Sequence, residues 1–326
     1  MPFDAIIGQD RPVALLQKML RSGIIPHAFI FYGIHGIGKH MTALMFAKAL
    51  NCATATDDCC DRCVSCDKTA RRLHPDVLCI EPPADKKIIS ISQLRQMQEQ
   101  IAHRPIEGRW KAVIIDQAHR LQTESANCLL KTLEEPPDNT VLILIADSIS
   151  AMLPTVLSRC QHIRFYPLRT AEIAAYLCRS AGAAEQHAMQ AAAYAQGSIA
   201  RALLLIDDDF LALRADLAAL CGASGGRDAG RAHELAQRLA ALHDAGGYAL
   251  DLVRFWYRDL LLLTAGISDT GLLYNRDIAD ALRAAAARET SAGLIRKLAR
   301  IHQLQNNPAA NLDTQLGLES VLLEGM

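Results

Sequence analysis

The chain has 326 residues, half of them apolar with few aromatics, enough for two or three domains with buried cores and rich in alanine and leucine, which favour helices. Its charges balance, 34 Lys plus Arg against 35 Asp plus Glu, which excludes the basic excess of a protein that holds nucleic acid alone; any DNA contact is expected within an assembly. No apolar run reaches the ~20 residues of a membrane span, and Met1-Pro-Phe-Asp-Ala5 lacks the features of a secretory signal, so a cytoplasmic location with no membrane contact is expected.

Taken in order, Val13, Leu15, Leu16 and Leu20 stand at helical spacing within 3–25. Ala28-Phe-Ile-Phe-Tyr32 reads as a strand that runs directly into Gly33-Ile-His-Gly-Ile-Gly-Lys-His40, with an amphipathic helix following to about Asn51. Strand, Gly-x4-Gly-Lys and helix together form the context of a phosphate-binding loop. Gly33, Gly36 and Gly38 permit the tight turn whose N–H groups surround an anion, and Lys39 reaches the outer phosphates. The loop ordinarily closes with a Ser or Thr that ligates Mg²⁺; here the position is His40, and Mg²⁺ takes oxygen ligands. The cradle therefore lacks its standard metal ligand, which leaves binding of ATP with Mg²⁺ open.

A cysteine-rich insertion then interrupts the α/β pattern. Five of the ten cysteines fall here, and in a reducing cytosol such a cluster points to metal or redox chemistry rather than to disulfides. Cys52, Cys60, Cys63 and Cys66, with C-x2-C-x2-C at the end, suit a tetrahedral Zn²⁺ held by four thiolates in a closed structural site. An iron–sulfur cluster shares this spacing, free cysteines are the third reading, and Cys59 could replace Cys60 as a ligand. Cys79, Cys128, Cys160, Cys178 and Cys221 read as core.

His74 to Ile80 gives a second strand, and Ser90 or Ser92 caps a helix through Leu94, Met97 and Ile101. Lys111-Ala-Val-Ile-Ile-Asp116 is a third strand, 123–133 a helix stopped by Pro136-Pro137, 140–146 a fourth strand, 153–157 a short helix and 161–165 a fifth strand. This alternation predicts a parallel sheet with right-handed crossovers. Asp116, at a strand end, is where P-loop ATPases hold Mg²⁺ through water. The next residue, a Glu in those enzymes, is here Gln117, which cannot accept a proton at neutral pH. Arg159, in Leu157-Ser-Arg-Cys160 at the sheet edge, is placed to act as an arginine finger on a neighbour's phosphate, or is a solvated arginine.

After Pro167 the strands stop. Thr170 caps a helix to Cys178, and two more helical segments lie near 184–195 and 198–206. From 209 on only helices are plausible, with breaks at 222–230, 246–247 and 266–270; Leu252, Phe255, Trp256, Leu260 and Leu263 form an apolar stripe fit for a core or a subunit contact. The predicted architecture is an α/β P-loop domain with a five-stranded parallel sheet over 1–166, a small helical domain over 167–208 and an all-α domain over 209–326.

Ile7-Gly-Gln9, His27-Ala-Phe29, the P-loop, the four cysteines, His74-Pro-Asp76, Ile115-Asp-Gln-Ala-His119, Leu129-Leu-Lys-Thr-Leu-Glu-Glu-Pro-Pro137 and Leu157-Ser-Arg-Cys160 occur in the order seen in bacterial clamp-loader subunits. The chain resembles these AAA+ ATPases of DNA polymerase III over roughly residues 1–205. The resemblance implies an AAA+ domain, a lid and a C-terminal collar that builds a hetero-pentameric ring with gamma/tau and delta subunits. That ring loads a sliding clamp on primer-template DNA. Motor subunits of the family carry Gly-Lys-Thr and Asp-Glu-Ala. His40, Gln117 and the absence of a tau-like extension after Met326 set this chain with the family's member of degraded ATP site, a stator that retains Ser-Arg-Cys. The alternative is a gamma/tau-like subunit that hydrolyses ATP itself. A sensor arginine expected in Gly-Ser-x-Arg is replaced by Ala200, with Arg201 displaced by one residue.

Overall fold

The computed structural model describes residues 2–83, 88–206, 208–222, 228–246, 248–267, 269–306 and 314–324. By contacts it divides into two compact units, Met1–Glu172 with Gly197–Ala200, and Ile173–Gln196 with Arg201–Met326.

In the first unit, helices α1 (Asp10–Ser22), α2 (Lys39–Leu50), α3 (Val64–Ala70), α4 (Ile91–Ile101), α5 (Thr123–Glu134) and α6 (Pro154–Leu157) alternate with strands β1 (Ala28–Tyr32), β2 (Val77–Ile80), β3 (Lys111–Ile115), β4 (Thr140–Ala146) and β5 (Gln161–Arg164). The sheet is parallel throughout, in the order β2-β3-β4-β1-β5, with Ala28 opposite Leu142 and Lys111 opposite Thr140. Every residue of β3 and β4 is buried, which explains the apolar runs 112–115 and 141–146 that follow Lys111 and Thr140: helices cover both faces. Phe29 and Phe31 point to one side, where Phe46 of α2 meets Phe29 edge-on at 5.5 Å. Ala28 and Ile30 point to the other, among Leu94, Met97, Leu129 and Leu133 of α4 and α5. Because β4 lies between β1 and β3, the three adjacent strand ends present the P-loop, Asp116 and Asp147 side by side, where open α/β sheets bind ligands.

Two readings of the sequence change. The α2 helix is not amphipathic but buried nearly all round, because the cysteine-rich insertion covers the face that a plain α/β domain would leave to solvent. Even Lys48 is buried, and it reaches Asp61 of that insertion at 2.8 Å. Ser90 rather than Ser92 caps α4, in a reciprocal capping box with Gln93.

The second unit is helical: α7 (Thr170–Ala181), α8 (Glu185–Tyr194), α9 (Ile199–Leu204), α10 (Asp208–Gly222), α11 (Ala229–Gly246), α12 (Ala249–Thr264), α13 (Ala279–Ala286), α14 (Ser291–Asn306) and α15 (Thr314–Leu323). Thr170 is helical rather than a cap, and α7 runs past Cys178 to Ala181. Of the expected breaks, residues 223–227, 247 and 268 lie outside the described residues. On α12 the stripe Leu252, Phe255, Trp256 and Leu260 is core, with Leu263 half-buried. A polar cluster is buried with it. The fully buried Asp259 accepts from the Asn275 N–H and Nδ2, both at 2.9 Å, and Arg214 donates to Asn275 Oδ1 at 2.7 Å.

Candidate functional site

The glycine loop has the predicted shape. Gly38, at φ 95°, precedes α2 in a backbone conformation that a Cβ would strain. Gly36, at φ 77°, is closely approached: a Cβ there would lie 2.3 Å from Ser198 Oγ and 2.6 Å from Ala200 Cβ. Its carbonyl accepts from the Ala200 N–H at 3.3 Å. The alanine standing where a sensor arginine was expected thus packs on the loop itself. In the second unit, Arg201 pairs with Asp251 and lies over the Tyr248 ring at 5.0 Å.

Lys39, His40, Asp116 and Asp147 each have a partner within the chain. Lys39, 4% exposed, donates to the Gly33 carbonyl, to the Ile34 carbonyl at 2.7 Å and to Asp147 Oδ1 at 3.0 Å, which uses its three donors. Burial lowers its pKa and the Asp147 carboxylate opposes that. His40 Nδ1 lies 3.1 Å from Asp116 Oδ2, so the residue replacing the metal-ligating hydroxyl contacts the metal-side carboxylate directly. The other Asp116 oxygen accepts from the Gln117 N–H at 2.8 Å. Burial alone would raise the Asp116 pKa; the His40 bond and charge, the Gln117 N–H and the Lys39 charge together hold it below the usual carboxylate range.

Three residues here were not singled out for a role by the sequence. Asp147 follows β4, and its position at a strand end beside the loop was the available signal. Gln9 was quoted only as part of a motif; its amide donates to Tyr166 O at 2.7 Å and Ile37 O at 3.3 Å and accepts from Tyr166 N, tying the loop to the exit of β5. Asp76, of His74-Pro-Asp76, accepts from the N–H groups of Ile106, Glu107 and Gly108 at 2.7–2.8 Å, a structural clamp on that turn.

Beyond the other end of α2, the sulfurs of Cys52, Cys60, Cys63 and Cys66 lie within 4.8 Å of one another. Backbone N–H groups donate to three of them: Ala55 to Cys52 at 3.4 Å, Cys63 to Cys60 at 3.3 Å and Cys66 to Cys63 at 3.5 Å. Such donors favour thiolate. The Thr54 hydroxyl, with the Arg62 and Cys63 N–H groups, draws the Cys60 pKa down to about 5, whereas burial pushes Cys66 up. Sulfurs around Zn²⁺ at about 2.3 Å stand about 3.8 Å apart, so a small contraction lets the four hold a metal such as zinc with no open position. Cys59 is directed elsewhere, 4.0 Å from Met45 Sδ, and burial raises it to about 11. The remaining five cysteines are half-buried rather than core.

Arg159 lies in the turn between α6 and β5, about a third exposed. Its Nη1 donates to Thr155 O at 2.9 Å and Ser158 Oγ at 3.1 Å, and its Nη2 to Glu134 Oε1 at 2.6 Å. Two of the sequence motifs, Leu-Glu-Glu-Pro-Pro and Ser-Arg-Cys, therefore meet in one ion pair.

A family model described as DNA polymerase III, delta subunit, matches residues 8–169. The chain is 28% identical to the DNA polymerase III subunit delta' of Bacillus subtilis over 97% of its own length and 95% of that protein. It is 33% identical to the subunit gamma of Buchnera aphidicola from Acyrthosiphon pisum over 63% of its own length, spanning 58% of that relative; in the tau/gamma subunit of Haemophilus influenzae it spans 30%. A DNA polymerase III gamma subunit-related protein of Thermotoga maritima shares the fold, with a TM-score of 0.50 at 16% identity over 95% of this chain and 97% of that one. Among the described residues no helix is long and apolar enough to cross a membrane. The chain belongs to the clamp-loader family of DNA polymerase III, as a delta'-like member related to gamma and tau.

Proposed function

We propose that this chain is an ATPase-impaired stator of the clamp loader. It supports a hetero-pentameric ring with gamma/tau and delta subunits and supplies Arg159 to a neighbouring motor subunit while the sliding clamp is loaded on primer-template DNA. The observation that carries the reading is the self-paired cradle. His40 lies 3.1 Å from Asp116, and the Lys39 donors are taken up by Gly33, Ile34 and Asp147. A nucleotide with Mg²⁺ would have to break both arrangements, and Gln117 offers no base for the attacking water. The cysteines hold one structural Zn²⁺. Residues 167–208 serve as the lid and 209–326 as the collar.

Arg159 suits the role assigned to it because guanidinium is permanently charged and its planar fork matches phosphate oxygens. As charge builds on the γ-phosphoryl group of a neighbour's ATP, such a finger typically contributes roughly 10³–10⁵ in rate, or about 4–7 kcal/mol. The test is a reconstituted complex with wild-type or Arg159→Ala protein, assayed for DNA- and clamp-stimulated ATP turnover beside the chain alone. The expected result is intact assembly, loss of hydrolysis at one interface, slower clamp loading, and negligible turnover by the isolated chain. Robust hydrolysis by the isolated chain would instead support the gamma-like reading. Unchanged rates with Arg159→Ala would reduce Arg159 to a surface arginine.

A further inference from the structure

We infer that Glu134 is a positioning residue for Arg159, holding the guanidinium so that its remaining donors face outward to a phosphate oxyanion of the adjoining subunit. The inference rests on the reading of Arg159 given above and extends it to a residue with no role in the nucleotide cradle. Glu134 is the last residue of α5, where the helix dipole disfavours an acidic side chain. Helix chemistry therefore does not account for a carboxylate there; its 2.6 Å contact with Arg159 Nη2 does. The guanidinium has five N–H groups. Two on Nη1 are taken by Thr155 O of α6 and Ser158 Oγ of the turn after it, and one on Nη2 by Glu134 at the end of α5. Among the described residues the Nε–H and the second Nη2–H have no protein acceptor, which leaves two donors for a two-pronged contact with phosphate.

Exposure sets how strong this support is. The Glu134 side chain is 52% exposed and Arg159 35%, so the pair is a surface ion pair: enough to restrict a long side chain, too weak to compete with a polyphosphate. Anchoring of this kind acts on the rate rather than on ground-state binding, because it removes rotamers that would have to be frozen as charge develops on the transferring group.

The experiment uses the complete complex with gamma/tau, delta, clamp and primer-template DNA, comparing wild-type, R159A, E134A, E134Q and E134A/R159A proteins in single-turnover ATP hydrolysis. R159A identifies the phase belonging to the adjoining site. In that phase E134A is expected to slow hydrolysis about fivefold, the rate equivalent of one surface ion pair, with KM for ATP and assembly unchanged. E134Q, which keeps an amide oxygen as acceptor, is expected to recover most of the rate, and E134A to add nothing in the R159A background. If R159A removes a phase and E134A leaves it at the wild-type rate, or E134A slows the double variant further, the positioning role is overturned while the finger stands. If R159A removes no phase, the finger reading fails and this inference fails with it.

Discussion

The two ends of α2 have gone separate ways. At its N-terminus Lys39, His40 and their neighbours Asp116 and Asp147 satisfy one another at 3.0–3.1 Å. Just beyond its C-terminus four sulfurs lie within 4.8 Å of one another, three of them accepting from backbone N–H groups. Buried charge is expensive unless paired. The groups of the cradle meet this with internal partners, Lys39 with Asp147 and His40 with Asp116. Four adjacent cysteines offer one another no such partner: as thiolates they would repel, and a cation among them would relieve that. A common helix thus carries one site whose groups pair internally and one whose four sulfurs could hold an ion.

The largest effect that would break this contrast concerns the ion that the four cysteines could hold. The protein purified under reducing conditions is expected to carry one zinc per chain by elemental analysis; iron, or no metal, would remove the contrast at its root. Structural zinc binds small peptides with an apparent free energy of about 10–16 kcal/mol, so Cys63→Ser should release the ion and lower the thermal stability of the first unit sharply. Cys59→Ser, whose sulfur lies outside the cluster, should keep the ion. At the other end, His40→Thr with Gln117→Glu should raise Mg²⁺-dependent ATP affinity by about ten- to a hundredfold, measured by calorimetry, since it restores a ligand and releases Asp116. Turnover should recover far less, for want of a neighbour's arginine.

The sequence was legible where a residue type has one physical use. The glycine turn, the apolar runs of β3 and β4 and the cysteine spacing each follow from steric or ligand rules that hold without neighbours, and the parallel sheet follows from the alternation. The partners were less legible. Nothing local says that Lys39 turns to Asp147 across 108 residues, or that Glu134 reaches Arg159 across 25. The amphipathic reading of α2 failed for the same reason, since its outer face is covered by an insertion whose packing no periodicity reports.

A smaller effect sharpens the comparison at Lys39. This lysine is hydrogen-bonded to two loop carbonyls and a carboxylate, so Lys39→Ala should destabilise the chain by about 1–3 kcal/mol in denaturant unfolding without any nucleotide present. No change would mean that the loop is indifferent to its own lysine.

The smallest effect is one of pH, at the His40–Asp116 contact. An acid whose folded pKa lies below its unfolded value of about 3.9 stabilises the fold above that pH, and the contribution is lost as pH falls through the folded pKa. Asp116 is such a group. Burial opposes its ionisation, and the His40 hydrogen bond and charge lead the interactions that overcome it, ahead of the Gln117 N–H and Lys39. Wild-type protein should therefore keep this share of stability down to about pH 4. Removing the ring by His40→Ala leaves burial opposed only by the weaker groups, so the Asp116 carboxyl should titrate at higher pH and the loss set in earlier. At neutral pH the variant should be less stable by about 1 kcal/mol. Carboxyl-carbon NMR of Asp116 in wild-type and variant protein, beside unfolding curves between pH 3 and 7, reads both quantities. An Asp116 titration that does not move with His40→Ala would show that the ring merely rests beside the carboxylate, and the cradle would then be closed by Lys39 and Asp147 alone.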